Sequence, residues 1–204
     1  MLQRSFLISM LFIAAAPASA DEGMWLPSQT EAIGDKMRAA GLELDPKQLG
    51  DFNRAPLNAI VSLGGCSAAF VSGQGLFATN HHCVYGSIQY NSSPEHNYLR
   101  DGFLAPTLGD ELPAAPGSRV YVIEDLRDVT KDVLRGAARL TGQPRHDRIE
   151  ANRKALIAAC ERQANRRCDV RAYFGGGQYF LQQQLEIQDV RLVYAPAGGI
   201  GNFG

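Results

Sequence analysis

The sequence predicts a mostly β protein with peripheral helices. Short runs of apolar and β-branched residues alternate with glycine-rich turns from Leu57 to Asn80, and further runs begin at Ser118 and Gln178. Such runs, punctuated by turn residues, are typical of antiparallel strands with tight connections. Long stretches of helical periodicity are few. We therefore expect an antiparallel sheet with helices at its periphery.

The first residues have the pattern of a secretory signal peptide. Arg4 precedes an apolar run from Phe6 to about Ala16, and Ala18-Ser19-Ala20 resembles a cleavage site. The apolar run is too short to cross a hydrocarbon core of about 30 Å as a helix, and no later segment reaches that length. We predict that residues 1 to 20 are removed and that the protein is exported, periplasmic or secreted, without a membrane span.

Charge and composition exclude several classes of partner. The chain has a formal charge of −1, and loss of Arg4 makes the mature chain one unit more negative. This balance gives no reason to expect a nucleic acid or an anionic membrane as partner. Gly175-Gly176-Gly177 is followed by neither a helix start nor a lysine, so we interpret it as a turn and expect no cofactor.

Four cysteines lie in a chain predicted to reach an oxidising compartment, where thiols tend to pair. Four cysteines allow three connectivities, and sequence alone does not decide among them. The close spacings favour a Cys66–Cys83 bridge and a Cys160–Cys168 bridge.

Residues 21 to 55 are predicted to form a helical lead-in. Apolar residues recur at helical spacing from Pro27 to Ala40, and Gly41 closes that pattern. Asp45 then has the features of an N-cap, with Pro46 in the first turn of a short second helix. We expect this segment to lead into the fold and to hold no functional site.

The predicted elements that follow are strands, with one helix among them. The runs LNAIVSLGG, CSAAFVS and LFATN predict three strands, SRVYVIEDL a fourth, and QYFLQQQLEIQDVRLVYA one or two more. Between them, Arg145 to Arg166 has a helical apolar stripe and is predicted to be a surface helix that ends at the second cysteine pair. The basic side chains of Arg162, Arg166, Arg167 and Arg171 are interpreted as a solvated face. Because glycine and proline follow the last strand, we expect the chain to turn towards a further element and to be the N-terminal piece of a longer protein.

The segment Thr79-Asn80-His81-His82-Cys83 carries the most specific signal for chemistry. A bridge from Cys66 to Cys83 would tie the start of a hairpin to its end and fix the histidines against the sheet. In trypsin-like barrels the general base is held in the same way, by a strand-end histidine followed at once by a bridged cysteine. On this reading His82 is the base. The acids nearest in sequence, Glu95 and Asp101, lack a context that would recommend them as its partner.

Four blocks of sequence resemble the bacterial dipeptidyl-peptidase 7/11 family, and the similarity runs along nearly the whole mature chain. They are EGMWLP from Glu22, LGGCSAAFVSGQGLFATNHHCVYGSIQYNSS from Leu63, DGFLA from Asp101, and DVRLVYAPAGGIGNFG from Asp189. Members of that family are chymotrypsin-fold serine exopeptidases that remove dipeptides from free N-termini.

The resemblance implies a function and a place for this chain in it. Residues 56 to 204 would be the N-terminal part of a trypsin-like peptidase domain, most of a first barrel, with His82 as catalytic histidine beside the Cys66–Cys83 bridge. The family's catalytic aspartate and amine-binding asparagine lie shortly beyond the last motif, and its serine lies far downstream in a second barrel that also sets side-chain preference. Oligopeptides with a free N-terminus would be the substrates, and the whole protein would be a homodimer.

Other readings compete with this one. His82 could be a structural histidine beside a disulfide, and the chain a non-enzymatic exported module or a degenerate peptidase relative. A zinc site of Cys66, His81, His82 and Cys83 has suitable ligand types, but three consecutive residues do not readily supply three tetrahedral ligands, so no metal is expected. A bridged Cys83 has no thiolate to act as nucleophile.

The remaining histidines have no predicted chemistry. If the segment is extended, His81 points away from His82 and serves in packing or hydrogen bonding. His96 and His146 lie in polar surroundings and are expected to face solvent.

Overall fold

The structure, a computed structural model, describes residue 23 and residues 25 to 201. The predicted signal peptide lies outside these residues. Six helices are present in the described part: α1 (Gly34–Ala39), α2 (His81–Asn91), α3 (Tyr98–Asp101), α4 (Thr130–Val133), α5 (Gly142–Cys160) and α6 (Gly198–Gly201). Ten strands accompany them: β1 (Ile60–Ser62), β2 (Ser67–Phe70), β3 (Phe77–Thr79), β4 (Phe103–Leu104), β5 (Leu112–Pro113), β6 (Val120–Asp128), β7 (Arg166–Tyr173), β8 (Gln178–Ile187), β9 (Arg191–Leu192) and β10 (Tyr194–Ala195).

The main sheet has six strands in the order β3-β2-β1-β6-β8-β7, and every adjacent pair is antiparallel. The first three strands form a meander, since short glycine-bounded turns join neighbouring strands directly. The sheet stays open in the described residues, where β3 and β7 form its edges. The prediction of a mostly β, incomplete barrel with peripheral helices is confirmed.

Two apolar clusters cover different parts of this sheet. The larger one lies where α4 and α5 pack on β7 and β8, and its largest fully buried side chains are Val133, Val170 and Leu181. The second lies under the β1–β3 meander and includes Val61 and Val120. Burial of apolar surface in these clusters provides most of the driving force for the arrangement.

A third, smaller cluster fixes the elements outside the main sheet. Ile88 of α2 is fully buried and packs with Leu192 and Ala195, which belong to β9 and β10. Strand β10 pairs with β4, and β9 pairs with β5. The C-terminal part of the described chain is therefore packed against α2, the helix that begins at the two adjacent histidines.

The helix predicted for Arg145 to Arg166 is wrong at its C-terminal end. Helix α5 ends at Cys160, and Arg166 begins β7, a strand that the sequence did not predict. The Cys160–Cys168 disulfide joins the end of α5 to this strand. Its two Cα atoms lie 6.1 Å apart, against 6.0 Å in the Cys66–Cys83 bridge. Polar and basic residues occupy β7 because it is an edge strand with solvent on one side.

The interpretation of the basic run as a solvated face is wrong for Arg166. Its guanidinium lies 2.6 Å from the carboxylate of Glu124, and both side chains are half-buried. The pair links the edge strand β7 to β6 across the intervening strand β8. Arg167 and Arg171 remain exposed and pair with neighbouring acids, as expected of a solvated face.

The lead-in contains less helix than its sequence pattern predicted. A 3₁₀ turn (Pro27–Gln29) precedes α1, and a second 3₁₀ turn (Pro46–Gly50) follows it. The Asp45 carboxylate accepts a hydrogen bond from the Lys47 amide at 3.1 Å, which is the predicted cap. No helix in the part of the chain that the structure describes is long and apolar enough to cross a membrane.

Replacement of Leu181 by Ala tests the larger cluster. Leu181 is 2 % exposed, and its loss should lower the free energy of unfolding by about 2–5 kcal/mol because a cavity remains. Leu108, which is 81 % exposed, is the control, and L108A should change the free energy by less than about 0.5 kcal/mol. Chemical denaturation measures both variants, and equal effects would contradict the assignment of this core.

Candidate active site

The β2–β3 hairpin sets the position of the histidine motif. Phe70 and Phe77 face each other across it, with ring centroids 6.4 Å apart in an edge-on arrangement. At the other end of the hairpin, the Thr79 hydroxyl donates a hydrogen bond to the Ser67 carbonyl at 2.9 Å. These cross-strand contacts fix where β3 ends, and the motif begins at that point.

Helix α2 starts immediately after β3. Asn80 has extended backbone angles, and its carbonyl accepts a hydrogen bond from the Cys83 amide at 3.1 Å. Cys83 is in the first turn of the helix and is bridged to Cys66, which directly precedes β2. The start of the hairpin and the start of α2 are thus covalently joined, in the pairing that the sequence favoured.

His81 and His82 lie in this helix, so the prediction of an extended segment at these residues is wrong. Consecutive helical residues are separated by about 100° around the axis, which still directs their side chains differently. His82 is exposed, whereas His81 is half-buried. Of the two, His82 is the more exposed, and both ring nitrogens of His81 are buried.

The imidazole of His81 packs inside the protein. Its ring lies edge-on to that of Tyr85, one turn along α2, with centroids 6.2 Å apart. On another side it meets the backbone of Gly201, the last described residue. A Cβ atom at Gly201 would lie 2.6 Å from Cγ and 2.8 Å from Nε2 of His81, closer than real atoms approach. Sequence reasoning missed this contact because no spacing rule relates residues so far apart along the chain.

The two acids nearest to the motif in sequence are engaged elsewhere. The Asp101 carboxylate accepts two hydrogen bonds from Arg100 at 2.7 Å, and these bonds hold the pKa of Asp101 below its ordinary value. Hydrogen bonds from its own backbone amide and from Ser93 lower the pKa of Glu95 in the same way. Within residues 25 to 201, no carboxylate is hydrogen-bonded to His82.

A cluster that resembles a metal site surrounds the bridge. The potential ligand atoms of Cys66, His82 and Cys83 lie within 4.8 Å of one another. Zinc binds cysteine as thiolate, and here both sulfurs belong to a disulfide. One imidazole then remains, which is too few ligands for a tetrahedral site. The proximity is the geometric result of a histidine that adjoins a bridged cysteine.

The other sites singled out from the sequence have simpler roles. His96 and His146 are exposed, as predicted. His96 stacks on Tyr98 with ring planes 14° apart. The glycine triplet from Gly175 lies in the connection between β7 and β8, which confirms its interpretation as a turn.

The open antiparallel sheet, with a histidine and a bridged cysteine directly after a strand, defines a chymotrypsin-like partial barrel. The chain belongs to the Peptidase S46 family, whose model matches residues 20–204.

Several relatives agree with this assignment. The chain is 46 % identical over 203 residues to an Asp/Glu-specific dipeptidyl-peptidase of Shewanella putrefaciens, covering 98 % of this chain and 27 % of that protein. It is 38 % identical over 206 residues to dipeptidyl-peptidase 7 of Porphyromonas gingivalis, covering 96 % and 28 %.

A crystal structure of Porphyromonas endodontalis DPP11 has the same fold over most of the chain. It superposes with a TM-score of 0.78 and 34 % identity, covering 91 % of this chain and 27 % of that one. The complex of that protein with the dipeptide Arg-Asp gives a TM-score of 0.79 at 33 % identity, with 90 % and 28 % covered. The chain therefore spans a little more than a quarter of the length of these relatives.

Removal of the first disulfide tests what fixes the start of α2. In a C66S/C83S variant, amide hydrogen exchange over residues 80 to 84 should rise at least about tenfold, because the first turn can then open locally. The C160S/C168S variant is the matched control and should leave this exchange unchanged. Exchange followed by mass spectrometry measures both, and equal protection in the two variants would show that the bridge does not hold the helix start.

Proposed function

We propose that the whole protein is a serine-type dipeptidyl-peptidase that removes dipeptides from the free N-terminus of oligopeptides, with His82 as its general base. The observation that carries the proposal is the exposed imidazole of His82, directly after β3 and next to the bridged Cys83. Membership of the S46 family supplies the reaction class.

The chemistry explains why a rigid histidine is needed. A serine hydroxyl is a weak nucleophile at neutral pH, and an imidazole with an ordinary pKa near 6.5 can accept its proton only at hydrogen-bond distance. His82 would take that proton as the serine attacks the carbonyl carbon of the scissile bond. It would then donate the proton to the leaving amine, which releases the shortened peptide.

The second half of the reaction uses the same residue. The N-terminal dipeptide is then esterified to the serine, and water must displace it. His82 would accept a proton from this water and return one to the serine oxygen, which frees the dipeptide and restores the enzyme. One imidazole can serve in both halves only if it stays in place throughout, and the disulfide provides that constraint.

The partners of His82 would come from the rest of the polypeptide. A carboxylate on the second ring nitrogen would set the tautomer and stabilise the imidazolium. Asp101 and Glu95 are unsuited to that role because Arg100 and Ser93, respectively, already bind them. We also propose that the protein is exported by its signal peptide and acts as a homodimer in the periplasm or outside the cell.

Replacement of His82 by Ala in the full-length protein is the direct test. Turnover of dipeptidyl substrates should fall by at least about 10³-fold, because the serine loses its base. His81→Ala should cost far less and retain at least about a hundredth of the parent's activity. Release of a chromophore from dipeptidyl amides with acidic and with apolar second residues measures both variants.

Thermal unfolding and a third variant control this experiment. His146 is an exposed histidine of α5, so H146A should keep turnover within about twofold of the parent. H82A and H146A should melt close to the parent, because both side chains are exposed. Turnover of H82A within tenfold of the parent would overturn the assignment of the base.

A further inference from the structure

The approach of Gly201 to His81 has no role in the proposed chemistry, yet it leaves no room for a side chain at position 201: a Cβ atom there would lie 2.5 Å from Cδ2 of His81. The helix α6 brings the Gly201 backbone so close that any side chain there would overlap the imidazole. The backbone angle φ of Gly201 is outside the left-handed region, so an alanine would be strained only by this overlap. Glycine is required here for close approach to one particular ring.

Neighbouring contacts hold both sides of this pair. The Gly201 amide donates a hydrogen bond to the Ala197 carbonyl at 2.9 Å. Gly198, at the start of α6, lies so close to the Leu99 carbonyl that a Cβ atom would be 2.5 Å from the oxygen. On the other side, Tyr85 supports the His81 ring edge-on. The imidazole is therefore clamped between α2 and α6.

The polar atoms of this ring face protein. Both ring nitrogens of His81 are buried, and no residue from 25 to 201 forms a hydrogen bond with them. A ring used only to fill space would be better served by an apolar side chain, since burying unpaired polar atoms has a cost. Placement of an imidazole against a main-chain turn points to a role in setting the position of that turn.

We propose that His81 is a positioning residue: its imidazole sets the distance between the first turn of α2, which carries His82, and the backbone at Gly201. Because His81 and His82 are consecutive residues in the first turn of α2, a displacement of the His81 ring would also displace the turn that carries the base. The inference rests on the proposed function, since positioning is meaningful only if His82 reacts.

The test is a double-mutant cycle in the full-length protein. Gly201→Ala adds a methyl group that must displace the His81 ring, and it should lower kcat at least about tenfold with a change in KM of less than about threefold. Gly199→Ala is the matched control, because a Cβ atom at Gly199 meets nothing within 4 Å, and it should leave kcat within about twofold.

The double variant G201A/H81A decides whether the contact causes the loss. Removal of the imidazole makes room for the added methyl, so the double variant should be no less active than H81A alone. If the double variant instead shows the product of the G201A and H81A losses, the proposal is overturned. Equal kcat for G201A and G199A would also overturn it. If H81A alters the unfolding midpoint but not kcat, His81 is a packing residue and the proposal is wrong.

Other outcomes are also decisive. If G201A does not fold, rescue of folding and activity by H81A supports the contact, and failure of rescue contradicts it. H82A in the same series separates this inference from the proposed function. An active H82A removes the proposed function, whereas an inactive H82A with indistinguishable G201A and G199A removes only the positioning role of His81.

Discussion

The Cys66–Cys83 disulfide is the constraint on which the candidate site depends. It closes a loop with a sequence separation of 17 that contains the whole β2–β3 hairpin. A bridge over a loop of about 15 residues removes about 3 kcal/mol of chain entropy from the unfolded state. The covalent link also joins two short elements: β2, a strand of four residues, and the first turn of α2. This link holds His82 in position although the residue is not buried, so its imidazole stays accessible.

The two histidines differ in exposure because a helix, rather than a strand, follows β3. The turn of about 100° per residue places His82 in solvent and His81 against the protein. In the proposed mechanism the exposed residue exchanges protons with a substrate. The half-buried His81 contacts Gly201 and thereby links α2 to the C-terminal turn of the described chain. The proposed base and its proposed positioning residue are thus neighbours in the helix turn that the disulfide anchors.

Local sequence patterns were sufficient to predict much of this architecture but not all of it. Glycine-bounded apolar runs predicted β1 to β3, and cysteine spacing favoured the pairs found in the structure. Strand β7 was missed because its edge position permits a basic, polar composition that resembles a helix end. The helix at His81 was missed although Asn80 is a residue type favoured at N-caps, because the apolar residues that follow it show little helical periodicity. The Gly201 contact depends on tertiary packing, which no local pattern records.

The central claim, that His82 and not His81 is the general base, can be tested by covalent labelling of the full-length protein. A dipeptidyl chloromethyl ketone places an electrophilic carbon beside the imidazole that serves the reacting serine, and that imidazole becomes alkylated. Peptide mapping by mass spectrometry then identifies the modified residue. We expect an adduct on His82, with loss of activity in proportion to labelling. An adduct on His81, or inactivation without modification of His82, would contradict it.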